Sequence, residues 1–137
     1  MNFFLDTNIC IYFLKGQKEE VSNNLKKLKP EQVKIPAIVK AELLLGVHKS
    51  QHSKRNKELV QRFLEPYEIM PFGDSEAETY SEIRAELEKK GKPIGPNDLL
   101  IASTVICGNG VLVTNNEKEF KRIPRLRVEN WIGNHKE

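Results

Sequence analysis

The chain has 137 residues, 39% of them hydrophobic and 30% charged, with a formal net charge of +3. That length suits one compact domain, expected to span residues 1–137 and to bury a core without disulfides. It holds no apolar run near the roughly 20 residues of a membrane span and no recognisable signal peptide, and its two separated cysteines, Cys10 and Cys107, read as reduced, buried thiols of a cytoplasmic protein.

Residues 2–6 read as a short buried strand ending at Asp6, and residues 7–15 as a helix with Ile9, Tyr12 and Phe13 on one face, stopped by Gly16. Residues 19–29 form a second amphipathic helix on Val21, Leu25 and Leu28, closed by Pro30. Val33–Ile35 is a second strand, followed by helices over 37–48 and 53–65. Glu68–Met70 is a third strand. Ser75 and Glu78 have capping-box spacing, so a helix starts there and runs along Tyr80, Ile83 and Leu87 to Gly91. Asn97 can cap a helix over 98–107. Val111–Val113 is a fourth strand, a short helical turn occupies 117–121, and a last strand lies near Arg127 and Val128. Strands that alternate with helices, most of them short apolar runs rather than alternating ones, imply an α/β fold, a short central parallel sheet with helices on both faces. In such sheets the functional crevice lies at the carboxyl ends of the strands.

Acids stand at or near that end. Asp6 directly follows the first strand, where it could equally serve as a helix cap. Glu42 lies among Ile38, Val39, Leu45 and Gly46 at helical spacing, and an acid on an apolar face needs a partner, either a cation such as Lys40 or an arginine, or a metal. Asp98 opens an apolar helix, where the helix dipole also favours an acid. After the fourth strand come Thr114, Asn116 and Glu119; Asn116 and Glu119 are one turn apart, and Thr114 or Asn116 could cap that turn. Several carboxylates converging at one crevice repel one another unless a cation neutralises them. An all-oxygen set favours Mg²⁺ or Mn²⁺. His48 and His52 are a turn apart but stand among Lys49, Lys54 and Arg55, which reads as a solvated basic face rather than a zinc site.

Leu5-Asp6-Thr7-Asn8, Ala41-Glu42-Leu43, Gly95-Pro96-Asn97-Asp98 before Ile101-Ala102, Val113-Thr114-Asn115-Asn116 leading to Glu119-Phe120, and the ending from Ile123 to Trp131 together resemble the PIN domain. More narrowly, the ordered set is similar to the VapC toxins of VapBC toxin–antitoxin pairs. The resemblance implies a magnesium-dependent endoribonuclease, usually a homodimer, acting on tRNA or other structured RNA and held in check by a VapB antitoxin that fills the acidic pocket. DNA would then be met only indirectly, through the antitoxin. Asp6, Glu42 and Asp98 match the family's invariant acids. Asn116 stands where many members carry a fourth acid, and Glu119 can supply that charge. Thr7 and Thr114 match polar positions that support the acids.

The chemistry so implied is phosphodiester hydrolysis by a metal-bound water, with Asp6, Asp98 and Glu42 as the metal ligands and Glu119 as a further catalytic carboxylate. It should leave 5′-phosphate and 3′-hydroxyl ends. Basic residues in three groups, His48–Arg62, Lys89 to Lys92 and Lys121 to Arg125, are candidates to track the backbone, while nothing in the sequence reads a base. Tyr12, Phe13 and the helix over 37–48 suggest an apolar groove for a partner helix. Three other readings compete. A haloacid-dehalogenase-like phosphotransferase expects an acid where Asn8 stands. A receiver domain expects its acceptor Asp after a middle strand. A non-catalytic PIN-like module would bind RNA or an antitoxin without cutting, and would have no need of mutually repelling acids.

Overall fold

Five short strands, β1 (Phe3–Leu5), β2 (Val33–Pro36), β3 (Glu68–Met70), β4 (Val111–Val113) and β5 (Arg127–Glu129), pair in the order β3-β2-β1-β4-β5. Every pairing is parallel, and β1 meets β4 in the register Phe3–Val111, Phe4–Leu112 and Leu5–Val113. The structure, a computed structural model, describes residues 1–133; the last four residues of the expected 1–137 domain lie outside the described residues.

Between the strands run α1 (Thr7–Leu14), α2 (Glu19–Lys26), α3 (Ala37–Lys49), α4 (Ser53–Leu64), α5 (Asp74–Lys89), α6 (Pro96–Cys107) and α7 (Glu117–Phe120). The chain winds from β1 outward through β2 to β3, then crosses back over β1 to β4 and β5. Right-handed crossovers taken in opposite directions place their helices on opposite faces of the sheet. The inner strands are therefore covered on both sides, and β4 is buried along its whole length. Phe4, Ile35 and Leu112 are fully buried at the sheet centre; each such side chain contributes roughly 1.5–3 kcal/mol relative to exposure. The strands at the two edges, β3 and β5, are only partly covered.

Most boundaries fall within one residue of the expected ones; three helix ends differ by two or more. The second helix stops at Lys26 rather than 29, because Pro30 forces Lys29 into an extended conformation and the chain tightens into a turn first. The helix expected to start on Ser75 and Glu78 starts at Asp74 instead, where the Glu76 carboxylate accepts the Gly73 backbone N–H at 2.9 Å. The helix expected to be capped by Asn97 begins at Pro96, with Gly95 in the capping position. Proline is preorganised for the first helical position, and its presence moves the cap two residues back.

Candidate active site

The chain reverses its direction of travel across the sheet between β1 and β4, so the crevice lies beyond their carboxyl ends. Asp6 follows β1 and Thr114 follows β4, one step past the last paired residues. The Asp6 backbone N–H continues the ladder to the Val113 carbonyl at 3.0 Å. Its side chain caps α1, with Oδ1 accepting the Thr7 N–H at 2.7 Å. Oδ2 accepts the hydroxyl of the fully buried Thr114 at 2.6 Å. Capping thus fixes the carboxylate rather than competing with a role in the crevice. Burial raises the Asp6 carboxyl above its ordinary range; the bonds from Thr114 and Thr7 oppose this, and the charge of Glu42 adds to it.

Glu42 reaches the same place from α3. One carboxylate oxygen accepts the Thr7 hydroxyl, and the other accepts the Asn97 side-chain N–H at 3.0 Å. An ion pair with Lys40 or an arginine, one of the two partners the sequence left open, does not form among the described residues. A hydroxyl and an amide take its place, because the helix sets Lys40 and Glu42 on different faces. Asp98 enters in the first turn of α6 and touches Glu119 of α7. Burial, then this contact, then the charges of Asp6, Glu119 and Glu42 push the Asp98 carboxyl up to about 7. Glu119 also accepts the Asn116 side-chain N–H at 3.3 Å. The Asn116 backbone N–H in turn donates to Thr114 Oγ1 at 2.9 Å.

These contacts close a circuit around the crevice: Thr114, Asp6, Thr7, Glu42, Asn97, then along the backbone to Asp98, Glu119, Asn116 and back to Thr114. All seven residues singled out in the sequence, Asp6, Thr7, Glu42, Asp98, Thr114, Asn116 and Glu119, lie on it. Asn97 was missed there as a site residue, having been assigned to capping. The Gly95-Pro96 pair was the signal, since proline at the first helical position frees the side chain that follows it.

The donor set suits a hard divalent cation. It is all oxygen, and the ion pairs among the described residues, such as Lys34–Glu68 and Lys121–Glu117, involve none of its four acids. Two of these acids have raised carboxyl pKa values through burial and mutual repulsion, which a cation would relieve. Among the described residues no three acidic, His or Cys side chains close around a point by themselves.

A groove of about 440 Å³ runs from Glu42 between α1, α3 and α4, lined by Ile11, Leu14, Leu43, Val47 and Val60. Tyr12 and Phe13, expected in it, do not line it; Phe13 packs on Phe63 with ring centres 5.3 Å apart. A second groove, of about 700 Å³, lies between α3, α4 and β3 and carries Lys40, Lys57 and Arg62 beside Tyr67.

Fold and crevice define an α/β domain with an acidic cleft at its topological switch. Residues 3–126 match the PIN domain. The chain is 48% identical over 132 residues to Ribonuclease VapC2 of Rickettsia felis, covering 96% of this chain and 98% of that one. It is 37% identical over 131 residues to the tRNA(fMet)-specific endonuclease VapC of Salmonella typhimurium, with 96% and 98% covered. It superposes with a TM-score of 0.90 on a chain of the crystal structure of VapBC2 from Rickettsia felis bound to a DNA fragment from their promoter, at 48% identity, covering 96% of this chain and 99% of that one. The same score is reached, at 37% identity and with 96% and 98% covered, in the DNA-bound VapBC of Salmonella typhimurium. The chain therefore belongs to the PIN-domain family and, within it, to the VapC ribonucleases.

Proposed function

We propose that the chain is the toxin of a type II toxin–antitoxin pair, a cytoplasmic Mg²⁺-dependent endoribonuclease that hydrolyses phosphodiester bonds in tRNA or other structured RNA. Mn²⁺ should substitute for Mg²⁺. The observation that carries this reading is the convergence of Asp6, Glu42, Asp98 and Glu119 on one crevice with no basic side chain among the described residues paired to them.

Asp6, Asp98 and Glu42 would hold the ion, directly or through water. When bound, the ion makes a water acidic enough to supply hydroxide near neutral pH and offsets charge on the phosphate. Thr7 and Thr114 orient the Asp6 oxygens so that they need not reorganise during the reaction. Glu119, in contact with Asp98 and hydrogen-bonded to Asn116, would be a further catalytic carboxylate beside the ion. Lys40, Lys57 and Arg62 make no ion pair among the described residues, whereas Lys90, Lys121 and Arg125 each face a glutamate. The first three are thus the better candidates to follow an RNA backbone, and cleavage should weaken steeply with salt.

The apolar groove beside Glu42 fits the apolar face of a VapB-like antitoxin helix. A homodimer is the assembly that the family resemblance implies.

The test is cleavage of a total tRNA pool by antitoxin-free protein with Mg²⁺, with EDTA, and with the Asp6→Asn variant. Discrete fragments ending in 5′-phosphate, lost in both controls, are expected. Fragments ending in a 2′,3′-cyclic phosphate would refute the hydrolytic route. A folded protein inert on every RNA would be a binding module instead.

A further inference from the structure

We propose that Asn97 is a positioning residue for the metal site, fixing the Glu42 carboxylate together with Thr7. This rests on the metal-dependent reading above. Glutamate has three side-chain torsions, and holding it in one arrangement has an entropic cost that a single hydrogen bond offsets poorly. Glu42 receives two donors, one on each oxygen. The Thr7 hydroxyl comes from the start of α1 and the Asn97 amide from the start of α6, 3.0 Å away. Two donors on different oxygens fix both the direction of the carboxylate and its rotation about the last bond. A carboxylate offers about four lone-pair sites, so both donors leave room for a cation or its water.

The chemistry of the donor matters as much as its place. A lysine or arginine at this position would neutralise Glu42 and compete with a cation. An amide supplies the same hydrogen bond and leaves the negative charge in the crevice. Asn97 is exposed, does not cap its helix, and makes no other side-chain hydrogen bond among the described residues. Its one polar contact is therefore with an acid of the site. Because Asp98 is the next residue, the contact also ties the position of Glu42 on α3 to that of Asp98 on α6.

The test measures Mn²⁺ binding to the antitoxin-free protein by electron paramagnetic resonance, which needs no turnover. Asn97→Leu and Asn97→Ala should bind Mn²⁺ about tenfold more weakly, the order expected for loss of a group that orients a ligand. Their melting temperatures should match the parent. Asn97→Gln, which keeps the donor, should recover most of the affinity. At saturating Mn²⁺ the KM for RNA should be unchanged in all three. Unchanged Mn²⁺ affinity in the leucine and alanine variants would overturn the inference and leave the nuclease reading intact. So would a loss that glutamine does not rescue, or a raised KM at saturating metal, which marks a direct RNA contact. A parent protein that binds no Mn²⁺ would overturn both readings together.

Discussion

Asp98 stands in the first turn of α6, where the helix dipole favours a negative charge. Burial and three neighbouring carboxylates outweigh that effect and bring its carboxyl to about 7 from an ordinary 3.8. The consequence for stability has a definite sign. At pH below about 4 both folded and unfolded chains carry the proton. Between about 4 and 7 the folded chain keeps a proton that the unfolded chain has released, so stability falls as pH rises through that window and stays reduced above it. Asp98→Asn removes this burden. In EDTA, thermal melts should show the variant more stable than the parent by a few degrees at pH 8, on the order that about 1 kcal/mol produces in a domain of this size. The gap should be smaller at pH 5, and Mg²⁺ should narrow it. A gap independent of pH would show that Asp98 does not titrate in this window. The positions of Asp6, Glu42, Asp98 and Glu119 were legible in sequence because each follows a strand, opens a helix or interrupts an apolar face. Asn97 was not, because a polar residue before a helix has a local explanation that needs no distant partner. Its partner is 55 positions away, on a helix of another layer.

At the scale of the element, strand identity was written plainly where burial is complete. Phe3–Leu5 and Val111–Val113 are uninterrupted apolar triplets because both their faces are covered. Helix ends were less legible, since capping depends on backbone angles that several adjacent residues can satisfy. The Glu76 carboxylate accepts the Gly73 N–H, the half of a capping box that Glu78 and Ser75 could have formed two residues later. The join between α6 and β4 shows a constraint that periodicity does not reveal. Phe4, fully buried, lies against the backbone of Gly108 and Gly110. A Cβ on Gly110 would stand 2.5 Å from a Phe4 ring carbon and 2.8 Å from the Asn2 carbonyl oxygen. The ring is enclosed and the carbonyl belongs to the sheet, which accepts the Val111 N–H there at 2.9 Å. Neither can yield cheaply. Gly110→Ala should therefore lose about 1–3 kcal/mol, the usual cost of forced overpacking, in a urea titration. Wild-type stability in that variant would mean that the strand shifts freely at its start.

The whole molecule sets its two functions side by side. The alternation of strands and helices announced a parallel sheet, but which strand lies at its centre depends on the return crossing from β3 to β4, for which the chain has no local signal. That crossing puts the acids at the switch between β1 and β4, and it leaves the α1, α3 and α4 layer free to form the apolar groove that ends at Glu42. Gly46 lies on that groove in the middle of α3, a position where glycine costs a helix about 1 kcal/mol relative to alanine. Nothing stands within 4 Å of where its Cβ would be. Packing of the free chain therefore does not require this glycine, whereas close approach of a second helix would. Two substitutions separate these explanations. Gly46→Ala should raise the stability of the free protein by about 0.5–1 kcal/mol. Gly46→Trp should also fold, since its ring has open space to enter, yet it should fill part of the 440 Å³ groove and exclude the antitoxin helix. Calorimetric titration with the antitoxin should then show a loss of at least about 2 kcal/mol, roughly thirtyfold in Kd. Undiminished affinity in the tryptophan variant would place the antitoxin elsewhere on the surface. Because Glu42 rims the same groove, an antitoxin helix seated there would lie against the acidic crevice, and binding would then block the site.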